Sequence, residues 1–422
     1  MSAISDYVRA LRGFNRDVRL YLFVTALLGF GVFGGIYPVL FNLYLLRLGY
    51  GPDYVGLIGS VVGLAFAGFS LPAGLASGKW GGRRTMIAGM ATAMVMFLLL
   101  PLAEFVPLAL RSGWLMVCSF VRSTGFALFW VNARPFLMSA TTANERTHVY
   151  AVQGAMFPLT GFVGSLVAGL MPGFFARLLG VSTDHPAPYR YPLWLVAILL
   201  VPAVVALRSI REFSTGQRPA RKGGRGRVPL VLIGVLSVAL FFQVTVQGSI
   251  MGFFNVYMDD GLGVATPTIG TLSAVAQLLS AGAALVTPAL SKRLGTRRVF
   301  VWSSLGAALC VLPLALVPHW SAVGLGYLGI SALYGMAFPA INVYQMELVS
   351  SDWRTAMSGA TAMANGLNWS ASSFVGGQVI EQWGYLPLFL ASAGLTLVGA
   401  LLFGAYFAGP RGRGNAEPGQ IS

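Results

Sequence analysis

Residues 41–49 read "FNLYLLRLG" and residues 254–263 read "FNVYMDDGLG". Phe-Asn-x-Tyr is written twice, 213 residues apart, each time at the end of a long apolar run and shortly before a glycine. An offset of half the chain is the mark of an internal duplication. The match continues outward. "GLASGKWGGRR" (74–84) aligns with "PALSKRLGTRR" (288–298) at offset 214, and "GFALFWVN" (125–132) with "GMAFPAIN" (335–342) at offset 210. Arg146, Thr147 and Gly169 align with Arg354, Thr355 and Gly377 at offset 208. One order with a slowly drifting spacing is what small loop deletions produce between two related halves.

The repeated unit is a membrane unit. Of 422 residues, 56% are hydrophobic and only 10% charged, against about 25% charged in soluble domains. That excludes a soluble enzyme. A bilayer crossing takes about 20 residues, and twelve apolar stretches qualify: 20–46, 54–77, 85–103, 113–139, 148–172, 191–208, 229–257, 266–290, 299–317, 321–347, 355–379 and 385–408. The polar, basic N-terminus leads into a full-length span, so no cleavable leader is expected. Cys118 and Cys310 both fall in spans and propose neither a disulfide framework nor a metal site.

The formal charge of +15 is placed by topology. With both termini inside, the inner segments hold 22 Lys/Arg and the outer segments 4. Such a bias orients membrane proteins. "RPARKGGRGR" (218–227) is therefore read as an orientation-setting linker and not a nucleic-acid patch.

Two six-helix halves joined by a basic linker resemble the major facilitator superfamily along essentially the whole chain. That family carries Gly-x-x-x-Asp-Arg-x-Gly-Arg-Arg after the second helix of each half. Here Gly74, Lys79, Gly81 and Arg83 match it, while Gly78 stands where the aspartate belongs and Lys292 takes that place in the second copy. The resemblance implies an all-α membrane protein of twelve transmembrane helices. Two pseudo-symmetric bundles, 1–208 and 229–408, would be joined by a linker at 209–228 and followed by a tail at 409–422. It also implies alternating access to a site near the bilayer midplane.

Polar side chains at lipid depth are costly unless they face a cavity or a partner. Arg122 lies near the middle of the fourth span. It is read either as a cavity cation for an anionic or carbonyl-bearing solute or as a structural arginine bonded to backbone carbonyls. Gln243 and Gln247 share a helix face at i, i+4. With Asn132, Gln277, Asn342, Asn365 and Asn368 they expect a partly polar substrate cavity. Arg134, toward the inner end of the same helix as Arg122, is read as a gate residue opposite Glu347. The basic loops contribute Lys79, Arg83, Arg84, Arg293, Arg297 and Arg298 to gating, and with the loop aspartate missing, Arg83 or Arg84 is expected to find Asp352 or Glu145. Asn42 and Asn255 read as duplicated caps, followed by turns at Gly49 and Gly261.

Of 13 Asp/Glu, only Glu347 falls within a span, near its inner end. Three histidines at membrane ends have no second ligand at metal spacing. The expectation is a secondary transporter, not an enzyme, moving a small neutral or anionic amphiphilic solute across a bacterial cytoplasmic membrane. It would act as a monomer in the lipid bilayer, without cofactor, metal or nucleic acid, with a proton as candidate coupling ion. A proton-driven drug or metabolite efflux antiporter is the alternative within transport. A non-transporting receptor or sensor on the same fold is the alternative outside it.

Overall fold

The computed structural model describes residues 14–212, 230–349 and 353–408. These form twelve long helices: α1 (Arg16–Arg47), α2 (Pro52–Trp80), α3 (Gly82–Phe105), α4 (Leu108–Ala140), α5 (Ala143–Leu179) and α6 (Ala187–Ser209), then α7 (Leu230–Gly261), α8 (Thr266–Leu294), α9 (Thr296–Leu316), α10 (Trp320–Glu347), α11 (Arg354–Trp383) and α12 (Tyr385–Ala408). Among the described residues, eleven of the twelve are long and apolar enough to cross a membrane. The exception is α11, whose 30 residues carry Thr361, Asn368, Ser370, Ser372 and Ser373, all buried. These side chains face neighbouring helices, so α11 reads as too polar although its length suffices.

The expected spans 20–46 to 385–408 each fall on one helix. Two ends differ. A 3₁₀ turn extends α3 to Phe105 and brings Glu104 inside it, and α11 runs on to Trp383 and includes Glu381. Several prolines sit inside helices, among them Pro72, Pro135, Pro158, Pro288 and Pro339. Neighbouring helices can re-satisfy the backbone groups that proline frees in a membrane.

By contact the chain forms two compact units. The first runs to Leu48 and resumes at Ala65; the second takes Gly49–Leu64 together with the second half of the described chain. The expected linker, 209–228, lies largely outside the described residues, as does the tail. Within the second unit, the start of α2 meets α11 at backbone distance. Ser60 and Ser370 share a hydroxyl contact of 2.9 Å, and a Cβ on Gly56 would strike the Ser373 carbonyl. The core of this unit joins α7, α9, α10 and α12 through Leu236, Leu240, Phe300, Phe403 and Phe407. In lipid such contacts stabilise by close packing rather than by removal from water.

The duplication is legible in the backbone. Gly81 and Gly295 both adopt positive φ, +90° and +87°, at the turns before α3 and α9. Gly49 (φ +86°) has its counterpart in Gly263 (φ +62°). Gly261, expected to be that turn, instead closes a π-helical turn at the end of α7, packed against Tyr257 and Tyr385.

Candidate functional site

The first helix of each half is interrupted at the same place in the repeat. In α1, a π-helical turn at Gly29–Phe33 is followed by a bend at Gly34–Gly35. Gly35 and Gly164 of α5 approach so closely that a Cβ on either would run into the Phe30 carbonyl. Ser165 donates to the carbonyl of Gly34 at 2.7 Å. In α7 the break falls at Val244, 213 residues beyond Gly31. There the Thr396 hydroxyl enters the hydrogen-bond ladder, accepting from the Val246 N–H at 3.1 Å and donating to the Gln243 carbonyl at 3.2 Å. Asn368 of α11 donates to the Phe241 carbonyl (2.6 Å) and to Thr245 Oγ1 (2.9 Å), and its Oδ1 accepts from Ser372. An inserted side chain is a recognised cause of a sharp helix kink. Asn368, expected at the substrate, is thus committed to the broken backbone.

The break in α7 opens two adjoining spaces within the second unit. One is a small cleft between α7, α8 and α10, lined by Gln247, Gln277, Ser280, Tyr327, Ser331 and Tyr334 with apolar Ile250 and Ile330. Among the described residues, no charged side chain lines it. The Tyr334 hydroxyl is hydrogen-bonded with Gln247, and that of Tyr327 with Ser273 and Ser331. Phe254 stacks on Tyr327 at 3.7 Å between ring centres and so fixes its plane. The other, smaller space is lined by Gln243, Ser303, Ser304 and Thr396, with Gln247, Ile330 and Tyr334 common to both. Gln277 lines the first space, Gln243 the second and Gln247 both. The remaining amides line neither. Asn132 is buried and donates to the Leu128 carbonyl of its own helix. Asn342 donates to the Phe338 carbonyl and accepts from Gln345, and Asn365 is exposed.

Arg122 belongs to the first unit and is 5% exposed. One guanidinium nitrogen donates to the Tyr37 hydroxyl at 2.9 Å. The group lies over the Tyr37 and Phe97 rings, 4.4 and 5.1 Å from their centres. Cation–π contact and a phenol hydroxyl hold the charge where the structural reading expected backbone carbonyls, and its Nε has no partner. Beyond it the rings continue through Phe126, Phe33, Trp130 and Phe157.

At the basic loops, Arg83 finds a carboxylate that the sequence did not single out. Its Nε lies 3.4 Å from Glu212, just beyond α6, and its Nη1 donates to the Ile210 carbonyl at 3.0 Å. The same carboxylate accepts the backbone N–H of Arg83 at the start of α3, where a negative group suits the helix dipole. Glu145, one of the expected partners, accepts instead from the N–H and hydroxyl of Thr142 in a capping box at the start of α5. Those bonds hold its carboxyl below the usual range. Asp352 lies outside the described residues. In the second copy, Arg297 donates to the Phe407 carbonyl at 2.6 Å, near the end of α12. Lys79, Arg84, Arg134, Arg293, Arg298 and Glu347 are exposed. A second ion pair, Arg190–Glu104 at 2.7 Å, is largely buried; it ties α6 to the end of α3 and is stacked on Phe105, Tyr191 and Trp194. Neither Glu212 nor Glu104 could be found by motif, because each lies beyond the expected span ends.

A sequence profile of the Major Facilitator Superfamily matches residues 22–373. A curated relative from Pseudomonas aeruginosa, the transcription regulatory protein OpdE, is 26% identical over 338 residues, covering 76% of each chain. Among solved structures, a D-xylose-proton symporter superposes with TM-score 0.71 at 15% identity, covering 94% of this chain and 97% of that one. The inward-open xylose transporter XylE from E. coli gives 0.70 at 14% identity (92% and 94%), and a point mutant of the nucleoside transporter NupG gives 0.69 at 16% (93% and 100%). At these identities the structures share the fold.

Proposed function

Because the chain belongs to the major facilitator superfamily, we propose that it carries a small uncharged amphiphilic solute by alternating access, and that the α7–α8–α10 cleft receives it. Membership makes it a multi-pass membrane protein and a secondary transporter, not an enzyme. One observation carries the solute class: every polar group lining the cleft is an amide or a hydroxyl, beside two tyrosines. Amides and hydroxyls offer donors and acceptors together without charge. An anion there would meet no cation among the lining residues, and Arg122, in the other unit, is already enclosed by aromatic rings. A screen of uncharged and anionic solutes for thermal stabilisation of the purified protein tests this, because a ligand of the native state raises its melting point. The expected hits are uncharged, and Gln247→Ala and Tyr334→Phe should weaken them about tenfold, the scale of one lost hydrogen bond in a site that then keeps an unpaired group. Hits confined to anions, or indifferent to both substitutions, would overturn the assignment.

The proposed location is the cytoplasmic membrane of a bacterium with both termini inside, supported by the 22 to 4 charge bias. A second reading, a sensor on the same fold, is favoured by the regulatory name of the curated relative. Proteoliposomes separate the two: a sensor binds the solute without accumulating or releasing it across the bilayer.

A further inference from the structure

The chamber behind the cleft differs from it in one chemical respect. Ser304 donates its hydroxyl hydrogen to the Phe300 carbonyl at 2.8 Å. It can therefore only accept from Gln243, whose Nε2 lies 2.8 Å away. That fixes the orientation of the amide and leaves Gln243 Oε1 as an acceptor. Thr396 spends its hydrogen on the Gln243 carbonyl and takes the Val246 N–H. The capacity left on Ser304 and Thr396 is lone pairs, not hydrogens, while Gln243 keeps one N–H beside its free Oε1. Ser303 adds a further hydroxyl. Gln243, Ser303, Ser304 and Thr396 are all more than nine-tenths buried. Hydroxyls that have given their hydrogens to backbone carbonyls, beside a free amide oxygen, offer a cluster of oxygen lone pairs. It suits a cation, and at the break in α7 it has the character of the unwound-helix sites where oxygen dipoles hold sodium.

We propose that this chamber binds a monovalent cation, Na⁺, through the oxygens of Gln243, Ser303, Ser304 and Thr396. The distribution of carboxylates agrees with it. Among the described residues, Asp17, Asp53, Glu104, Asp259, Asp260, Glu347 and Glu381 all lie near helix ends. A proton carrier at mid-span is therefore not among them, whereas a site of neutral oxygens needs none. Gln247 and Tyr334 border both the chamber and the solute cleft, so an ion in one can bias the shape of the other.

The test uses the full chain in detergent without solute, so its outcome is independent of the solute assignment. Thermal midpoints are measured against NaCl and against N-methylglucamine chloride at equal ionic strength. Na⁺ should give a saturable rise that the organic cation does not. Gln243→Leu should shift the half-saturating Na⁺ concentration upward at least tenfold. Should that variant fail to fold, Ser303→Ala, which touches no bond of the α7 break, should shift it at least threefold. Equal midpoints in the two salts for the wild-type protein, or unchanged Na⁺ dependence in the variants that fold, would leave the chamber holding water alone and overturn the proposal.

Discussion

The two halves began as copies and now treat the same positions in opposite ways. Tyr37 of α1 corresponds at offset 213 to Ile250 of α7, and Arg122 of α4 corresponds at offset 210 to Ala332 of α10. In the first half, Tyr37, Arg122 and Phe97 fill the space between these helices with a caged cation. In the second, the corresponding helices border an uncharged cleft. Phe41 stacks on Tyr37 within α1, whereas its mate Phe254 stacks across to Tyr327 of α10. The lesson is that a duplicated backbone constrains where helices break and turn, not what their side chains do. One half fills this space around a caged cation and the other leaves an uncharged cleft.

The difference can be broken most sharply at the helix interruptions. Gly35 and its mate Gly248 stand at equivalent places beside the breaks. A Cβ on Gly35 would meet the Phe30 carbonyl and the Gly164 Cα, both backbone, whereas one on Gly248 would meet side-chain atoms of Ser372 and Asn368 at 3.2–3.3 Å. Gly35→Ala should cost about 3 kcal/mol or more, as overpacking against rigid neighbours does, with a midpoint loss of roughly 3 °C or more. Gly248→Ala should cost about 1 kcal/mol or less. Equal melting points for the two variants would mean the breaks are not differently braced.

Next in size is the division of labour between cage and cleft. Arg122→Gln should lower the midpoint, since the Tyr37 hydroxyl loses its partner at about 1–3 kcal/mol, while solute affinity stays within about twofold. Gln247→Ala should do the reverse, losing about tenfold in affinity with a small change in midpoint. An Arg122→Gln protein that melts normally but no longer binds would move recognition into the first half.

The basic loops sharpen the contrast with a smaller effect. Arg83 and Arg297 each grip a carbonyl at the end of the last helix of their half, but only Arg83 is also placed beside a carboxylate in the described residues. Arg83→Ala should exceed Arg297→Ala by under about 1 kcal/mol, the range of exposed ion pairs, and 1 M salt should erase the excess by screening. A difference that persists at high salt would assign it to packing.

The smallest effect concerns the caps of α5 and α11. Thr142 and Glu145 close a capping box at the start of α5, whereas Trp353 makes no side-chain cap bond at the start of α11. The Glu145 carboxyl titrates below its ordinary value of 4.5 because it accepts from Thr142. Its contribution is therefore complete above about pH 4.5 and disappears as pH falls through the lowered value. Wild-type and Glu145→Gln proteins should differ slightly in midpoint at neutral pH and converge in acid; a gap that widens in acid would reverse the sign.

How much of this was legible in the sequence follows from range. The twelve helices, the duplicated halves and the uncharged character of the polar set are properties of composition and spacing, and bilayer thickness enforces them locally. That Gln243 and Gln247 share a face of α7 was legible from their i, i+4 spacing. The partners of Asn368 and Arg122 were not legible, because the Phe241 carbonyl and Tyr37 lie 127 and 85 residues away. Glu212 was invisible for the same reason. Tertiary structure alone decided which polar groups are spent on a broken backbone and which keep free acceptors, because a hydrogen bond is assigned by geometry to about half an ångström, a precision that spacing along a chain does not carry.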